Sequence, residues 1–390
     1  MTLALQHSEL RDLYEKVVAG ERLTDADALR LFESKDLNAV GAIADFARQR
    51  KVGDRASYIL NRYINYSNYC ILSCQFCSFA RKKRDADGFE LTVGQMVQKA
   101  REALALGITE LHIVGGLHPS LPFSYYVEML KALKALDPRL QLKCFTAIEI
   151  LHLAWLAKKS VEQTLLELKA AGLASLTGGG AEIFRPEVRS AIARGKESAG
   201  EYLDVHRTWH RLGGRSTCTM LFGHVEKLAD RVHHLSLLRA LQDETHGFTG
   251  FVPLPYQPEN NGIPVSTPPT GFDQLRTIAV SRLYLDNFDH VTAYWVGMGL
   301  KLAQVALSYG ADDLHGTILE EHIFHMAGAQ SPQLQTEAEM VKAIREAGRV
   351  PVQRNTFYEV VKEWPPTADS GNEPATVGQS QLLEQNLATA

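Results

Sequence analysis

The sequence predicts an α/β fold: a TIM-type (β/α)8 barrel with N-terminal helices and a C-terminal extension. Three observations predict it. Short apolar or alternating runs recur about eight times between residues 58 and 317. Amphipathic stretches separate them, and several of those stretches end in glycine, as helix C-termini prefer (Gly107, Gly172, Gly213, Gly310). Strand–helix alternation of this kind makes a parallel sheet, and eight units in about 250 residues is the count of a closed barrel.

Each element follows in order. Residues 8–52 carry apolar side chains three and four apart in LYEKVV, DADALRLFE and AVGAIADFARQR, which reads as helix. Thr24 is placed to cap the second of these, with Asp27 at N3, one methylene shorter than the Glu a capping box prefers. Strands are expected at 58–68, 110–116, 140–147, 173–179, 215–223, 247–255, 290–296 and 312–317. Helical patterns such as VGQMVQKAREALALG and VEQTLLELKAAG lie between them. The chain then divides into a helical segment (1–54), a barrel (55–325) and an extension with one helix and a short extended run (326–364). Residues 365–390 contain no Lys or Arg and few large apolar residues, so a disordered tail is expected there.

Composition excludes several classes. A net charge of -4 and a pI near 6.4 leave no basic footprint for nucleic acid or an anionic membrane. No apolar run reaches the ~18 residues a spanning helix needs, and MTLALQHSELRDL lacks the basic and apolar regions of a secretory signal. Five cysteines in 390 residues are no disulfide scaffold. The expected compartment is the reducing cytoplasm, with neither nucleic acid nor membrane as partner.

Three of those cysteines, Cys70, Cys74 and Cys77, form C-x3-C-x2-C in YCILSCQFCSF, directly after the first strand. A TIM barrel keeps its chemistry at such strand ends. Structural zinc wants four closed ligands, yet Cys144 and Cys218 sit inside predicted strands and read as core. A disulfide would leave one thiol over. An iron–sulfur cluster takes thiolates, and three of them leave one iron open to a substrate. Another metal site is the alternative.

Three more motifs fall at strand ends. HIVGGLHP holds Gly115 and Gly116, which either admit a ligand close to the backbone or simply form a tight turn. His118 behind them is a proton donor, a substrate ligand or a plain loop histidine. LTGGGAEIF places Glu182 at the barrel mouth, as a partner for hydroxyl groups or as a helix N-terminal acid. TMLFGHVE places His224 where a substrate would lie, or in a turn before a helix. RKKR, Arg81 to Arg84, reads as a solvated basic rim able to admit an anionic substrate or donor protein.

The cysteine motif after a first barrel strand, with Phe76 just before its last cysteine, resembles the radical S-adenosylmethionine (SAM) superfamily. That resemblance implies a 4Fe-4S cluster on Cys70, Cys74 and Cys77, SAM on its open iron, and SAM contacts from Phe76, Gly115, Gly116 and Glu182. Longer stretches (NRYINYSNYCILSCQFCSFARKK, KCFTAIEI, LTGGGAEIF, FVPLPYQPENNG) together resemble the aminofutalosine synthase family over residues 10–360. This implies that SAM is a co-substrate. Its 5′-deoxyadenosyl radical adds to the enol ether 3-[(1-carboxyvinyl)oxy]benzoate, giving 6-amino-6-deoxyfutalosine, methionine and bicarbonate in menaquinone biosynthesis. Flavodoxin or ferredoxin would supply the electron. His118 and His224 are then the candidate catalytic groups, with Arg62 and Arg282 as further candidates for the substrate carboxylates.

Two rivals share much of this pattern: dehypoxanthine futalosine cyclase and the radical SAM subunits of deazaflavin synthase. The resemblance to the cyclases weakens at Leu254 and Pro255, where they carry a Trp-Thr pair. From another class, an iron–sulfur electron carrier would normally saturate its cluster with four cysteines.

Overall fold

Residues 55–64 make two strands where the sequence predicts one. The computed structural model describes Leu5 and residues 7–265 and 268–365. In it, β1 (Arg55–Ile59) and β2 (Asn61–Ile64) meet at Leu60 and serve different neighbours. β2 opens a six-stranded parallel sheet in sequence order. The others are β3 (Glu110–Ile113), β4 (Gln141–Cys144), β5 (Leu173–Leu176), β6 (Arg215–Phe222) and β7 (Phe248–Pro255). β1 instead lies between β8 (Asp313–Gly316) and β9 (Val350–Arg354), parallel to both. β10 (Val360–Glu363) adds to β9 antiparallel. At the join, side chains stand in for the ladder. Asn61 N–H donates to Thr317 Oγ1 (3.1 Å), and Ile318 N–H donates to Asn61 Oδ1 (2.9 Å). The chain can thus change partners without orphaning buried backbone groups.

The two sheets close into one ring at the seventh position. The run expected at 290–296 supplies only two bridging residues: Val291 pairs with Phe251 of β7, and Thr292 with Asp313 of β8. It stops there because the chain turns into the short helix Trp295–Met298, whose Trp295 indole donates to the Gly316 carbonyl at 2.8 Å. Eight parallel positions therefore surround the axis.

Helices follow the strands with clear start signals. Thr92, Thr146, Ser160 and Ser198 each form a reciprocal capping box. So do Thr24 and Asp27, despite the shorter acid: Thr24 N–H donates to Asp27 Oδ2 at 2.9 Å. The N-terminal helices lie outside the barrel, and Leu37–Val52 packs along Gly271–Tyr284. Leu111, Ile113, Leu142 and Cys144, alternate residues of β3 and β4, are fully buried in the main core. Cys144 and Cys218 are free and buried, as core residues should be. The expected tail, from residue 366 on, lies outside the described residues. Among the described residues, no helix is long and apolar enough to cross a membrane.

Candidate active site

Loops at the C-terminal ends of the strands enclose a cavity of about 280 Å³. Its wall gathers Cys70, Cys74, Cys77, Phe76, Gly115, Gly116 and Glu182. Residues from three separate stretches of sequence thus meet in one place.

The cysteine loop is held from several sides. Cys70 N–H donates to the Arg81 carbonyl (2.9 Å), and Gln75 N–H to the Ile192 carbonyl (2.8 Å). Ser78 Oγ donates to the Asn260 carbonyl at 2.6 Å. Lys82 Nζ donates to the carbonyls of Cys70 and Leu72, both at 2.8 Å, and of Ile71 at 3.3 Å. RKKR is therefore more than a solvated rim: one of its lysines ties the loop, because three carbonyls with no ladder partner converge there. Cys74 and Phe76 also pack on a small apolar cluster of Ile192, Leu221, Tyr256 and Ile263.

The donor set fits an iron–sulfur cluster. All three thiols are free. Burial pushes the Cys74 thiol up to about 12, against the pull of Lys196 and with the neighbouring thiols adding to the rise. Burial raises the Cys77 thiol as well. Burial thus favours the protonated form of Cys74 and Cys77, and a cationic metal centre is what would make them thiolates. Among the described residues, no three His, Cys, Asp or Glu side chains are grouped to hold a metal ion.

The glycine turns bring backbone close to this loop. A Cβ on Gly116 would stand 2.3 Å from the Tyr69 carbonyl oxygen, and one on Gly115 would stand 2.6 Å from the Tyr66 ring. The protein's own packing thus demands both glycines. Gly115 N–H donates to Glu149 Oε1 (3.1 Å), a buried acid that also caps the helix Ala147–Ala157. A Cβ on Gly178 would lie 2.6 Å from the Cys218 backbone. Glu182 follows in a left-handed conformation (φ 45°), a strain that clusters at functional sites. Its Oε1 pairs with Lys196. Burial opposes the charge on Lys196, but Glu182 and Glu197 raise its pKa overall. Lys196 Nζ also stands 5.3 Å from the centre of the Phe76 ring.

The two histidines expected to be catalytic lie outside the cavity lining. His118 is buried, with Nε2 2.7 Å from Glu90 Oε2, while Nδ1 accepts from Ser120 and Leu121 N–H. His224 Nε2 donates to the Leu221 carbonyl (3.1 Å), and Nδ1 accepts from Val225 N–H (2.8 Å). In both, burial lowers the pKa against a nearby Glu. Each ring serves its own turn, so proximity to a strand end does not bring it to the cavity. Arg62 and Arg282 are also committed elsewhere. Arg62 bonds Glu320 and the Lys99 carbonyl, and Arg282 bonds the Gly310 carbonyl and Asp312.

The structure adds residues that sequence reasoning missed. Tyr63, His112 and Lys143 occupy one register row across β2, β3 and β4 and all line the cavity. His112 stacks on Tyr63, with ring centres 4.2 Å apart. His315, at φ 69°, faces them from β8. Polar side chains on every second residue of a strand, Glu110 and His112 on β3 and Gln141 and Lys143 on β4, were the available signal.

The description "Radical SAM superfamily" matches residues 64–238, and "CofH/MqnC C-terminal region" matches residues 245–367. An aminodeoxyfutalosine synthase of Thermus thermophilus is 41% identical over 92% of this chain and 98% of its own. The chain belongs to the radical SAM superfamily of enzymes. An aminodeoxyfutalosine synthase of Streptomyces coelicolor is 43% identical over 91% of this chain and 94% of its own. A cyclic dehypoxanthine futalosine synthase of the same organism is 39% identical over 91% and 89%. Among solved structures, the hydrogenase maturase HydG of Carboxydothermus hydrogenoformans aligns with a TM-score of 0.71 at 18% identity, covering 90% of this chain and 80% of that one. That likeness speaks for the radical SAM barrel fold. Membership implies SAM and a 4Fe-4S cluster in general terms, and Cys70, Cys74 and Cys77 are the residues suited to hold the cluster.

Proposed function

We propose that this chain is an aminodeoxyfutalosine synthase, the activity that the sequence resemblance implies. It would convert SAM, 3-[(1-carboxyvinyl)oxy]benzoate and water to 6-amino-6-deoxyfutalosine, methionine, bicarbonate and a proton. The observation that carries this reading is the near full-length match to two such synthases, one of them more similar than the futalosine-cyclising relative from the same organism. Leu254 and Pro255, the dipeptide that sets this chain apart from the cyclases, line the cavity.

A bound cluster would supply the electron for reductive cleavage of SAM to methionine, and the adenosyl carbon so released would add to the alkene. The protein's part is to bind, orient and shield. Cys70, Cys74 and Cys77 would hold the cluster. Phe76, Gly115, Gly116 and Glu182 would border SAM. Glu182 Oε2 has no hydrogen bond among the described residues and is available to a ribose hydroxyl. Val252, Leu254 and Pro255 make the facing wall apolar, which keeps water and stray hydrogen donors from a carbon radical. His118 and His224 would act through the turns they brace. A flavodoxin- or ferredoxin-type protein is the proposed electron donor, and the cytoplasm the proposed compartment.

The test is a product assay. The cluster is reconstituted anaerobically, SAM, dithionite and the enol ether are added, and products are weighed by mass spectrometry. Aminofutalosine appearing in step with methionine is the expected result. Release of 5′-deoxyadenosine with the enol ether unchanged would overturn the synthase assignment, and dehypoxanthine futalosine would be the next substrate.

A further inference from the structure

We propose that Lys143 is the anchor for the substrate's ring carboxylate, below the cluster and inside the barrel. The inference rests on the reading above for the identity of the substrate. It stands on where the lysine is and what it lacks. Lys143 is buried on β4, yet it lines the cavity. Among the described residues its ammonium makes no hydrogen bond and no ion pair. A buried ammonium ordinarily has a partner, because desolvation penalises the charge severely. Burial does lower its pKa, while the field of Glu110 opposes that shift.

Glu110 is the obvious internal partner, and it is engaged elsewhere. Its Oε1 accepts from Asn61 Nδ2 (3.0 Å) and its Oε2 from Thr356 Oγ1 (2.8 Å). It sits two register positions lower, paired with Gln141, whereas His112 pairs with Lys143. His112 Nε2 likewise has no hydrogen bond among the described residues, and burial holds this ring well below its usual pKa, in the neutral form. A cation and a neutral imidazole side by side, both facing a cavity and both unpartnered, make a site for a carboxylate.

The geometry selects which carboxylate. The cysteine loop follows β2, so the cofactor belongs at the rim. Tyr63, His112 and Lys143 lie within the strands, below that rim. The alkene has to meet the cofactor, and the enol carboxylate sits on the alkene itself. The ring carboxylate is the one remote from the reacting carbons. With the alkene at the rim it points down toward Lys143.

Binding of 3-[(1-carboxyvinyl)oxy]benzoate and of its analogue without the ring carboxylate, 2-phenoxyprop-2-enoate, is measured by calorimetry on wild type and Lys143→Gln with the cluster in place. Wild type should prefer the dicarboxylate by roughly tenfold to hundredfold. Lys143→Gln should lose most of that preference, with the loss carried in KM for the enol ether. Lys143→Arg should restore part of it. An unchanged preference in a folded Lys143→Gln would overturn the proposal. If Lys143→Gln fails to fold, the double variant Glu110→Gln, Lys143→Gln removes both buried charges together. Preference retained in that protein would also overturn it. Failure of wild type to turn over the enol ether would instead count against the synthase reading, which separates the two.

Discussion

Two levels of the same barrel treat buried charge in opposite ways. At the lower level Asp313 is gripped by Arg354 (Nε to Oδ2 2.6 Å, Nη2 to Oδ1 3.0 Å), and Ser57 and Thr292 hydroxyls complete its shell. Glu110 beside it is likewise satisfied by Asn61 and Thr356. Two positions up, Lys143 and His112 line the cavity, and among the described residues neither side chain makes a hydrogen bond or ion pair. Buried polar groups that are fully paired brace a fold, and one left unpaired calls for an explanation. The contrast teaches where stability ends and function begins, within a few ångströms of strand.

The largest effect should come from the rim. Cys74→Ala should abolish iron–sulfur content and SAM cleavage while leaving the thermal melt nearly unchanged, because the loop is held by contacts that do not involve the thiol. Iron quantification beside a melting curve checks both halves. Full SAM cleavage in that variant would sink the cluster assignment.

At the paired level the pattern should invert. Arg354→Met leaves Asp313 buried without its counter-ion and should cost about 3–5 kcal/mol of stability, read from denaturant unfolding. A loss below 1 kcal/mol would mean that the lower level is not the brace described here.

Acid should sharpen the same point. Burial works against the Asp313 carboxylate, but Arg354 and the hydroxyl donors win and hold it at about 2, below its ordinary 3.8. A carboxylate depressed on folding stabilises above its unfolded pKa and loses that contribution as pH falls through its folded pKa. The window is therefore pH 4 down to 2, and the contribution is about 2 kcal/mol. Asp313→Asn should begin less stable and lack that segment of the curve. Parallel slopes for both proteins would remove Asp313 from the account.

The smallest effect belongs to Lys82. Lys82→Met deletes the clamp on the Cys70, Ile71 and Leu72 carbonyls and should weaken the loop by about 1–3 kcal/mol. It should appear as faster loss of iron to a chelator at an unchanged melting temperature.

Much of the fold was legible from periodicity, since the strands and the capped helices follow from local patterns. The break at Leu60 was not, because it depends on Asn61 and Thr317, which lie far apart in sequence. The cysteine trio was legible because its spacing alone constrains its chemistry. His118 and His224 show the limit of that logic. A position just after a strand says little about where a ring points, and here the turn's own N–H and carbonyl groups claimed both rings. Lys143 was missed for the converse reason: it lies within the strand expected at 140–147, not just after its end. Its alternation with Leu142 and Cys144 was the sign that it faces inward.

The placement of β9 has a consequence for how the chain is made. β1 is the earliest barrel strand to leave the ribosome, and β9, its lower neighbour, is separated from it by almost the whole barrel. Arg354, which completes the shell of Asp313, arrives with β9. The nascent barrel therefore waits with acids in its base uncompensated until its last parallel strand docks, and such long-range pairing is slow. Synthesis of this protein should lean on chaperones more than a barrel whose closing contacts are local.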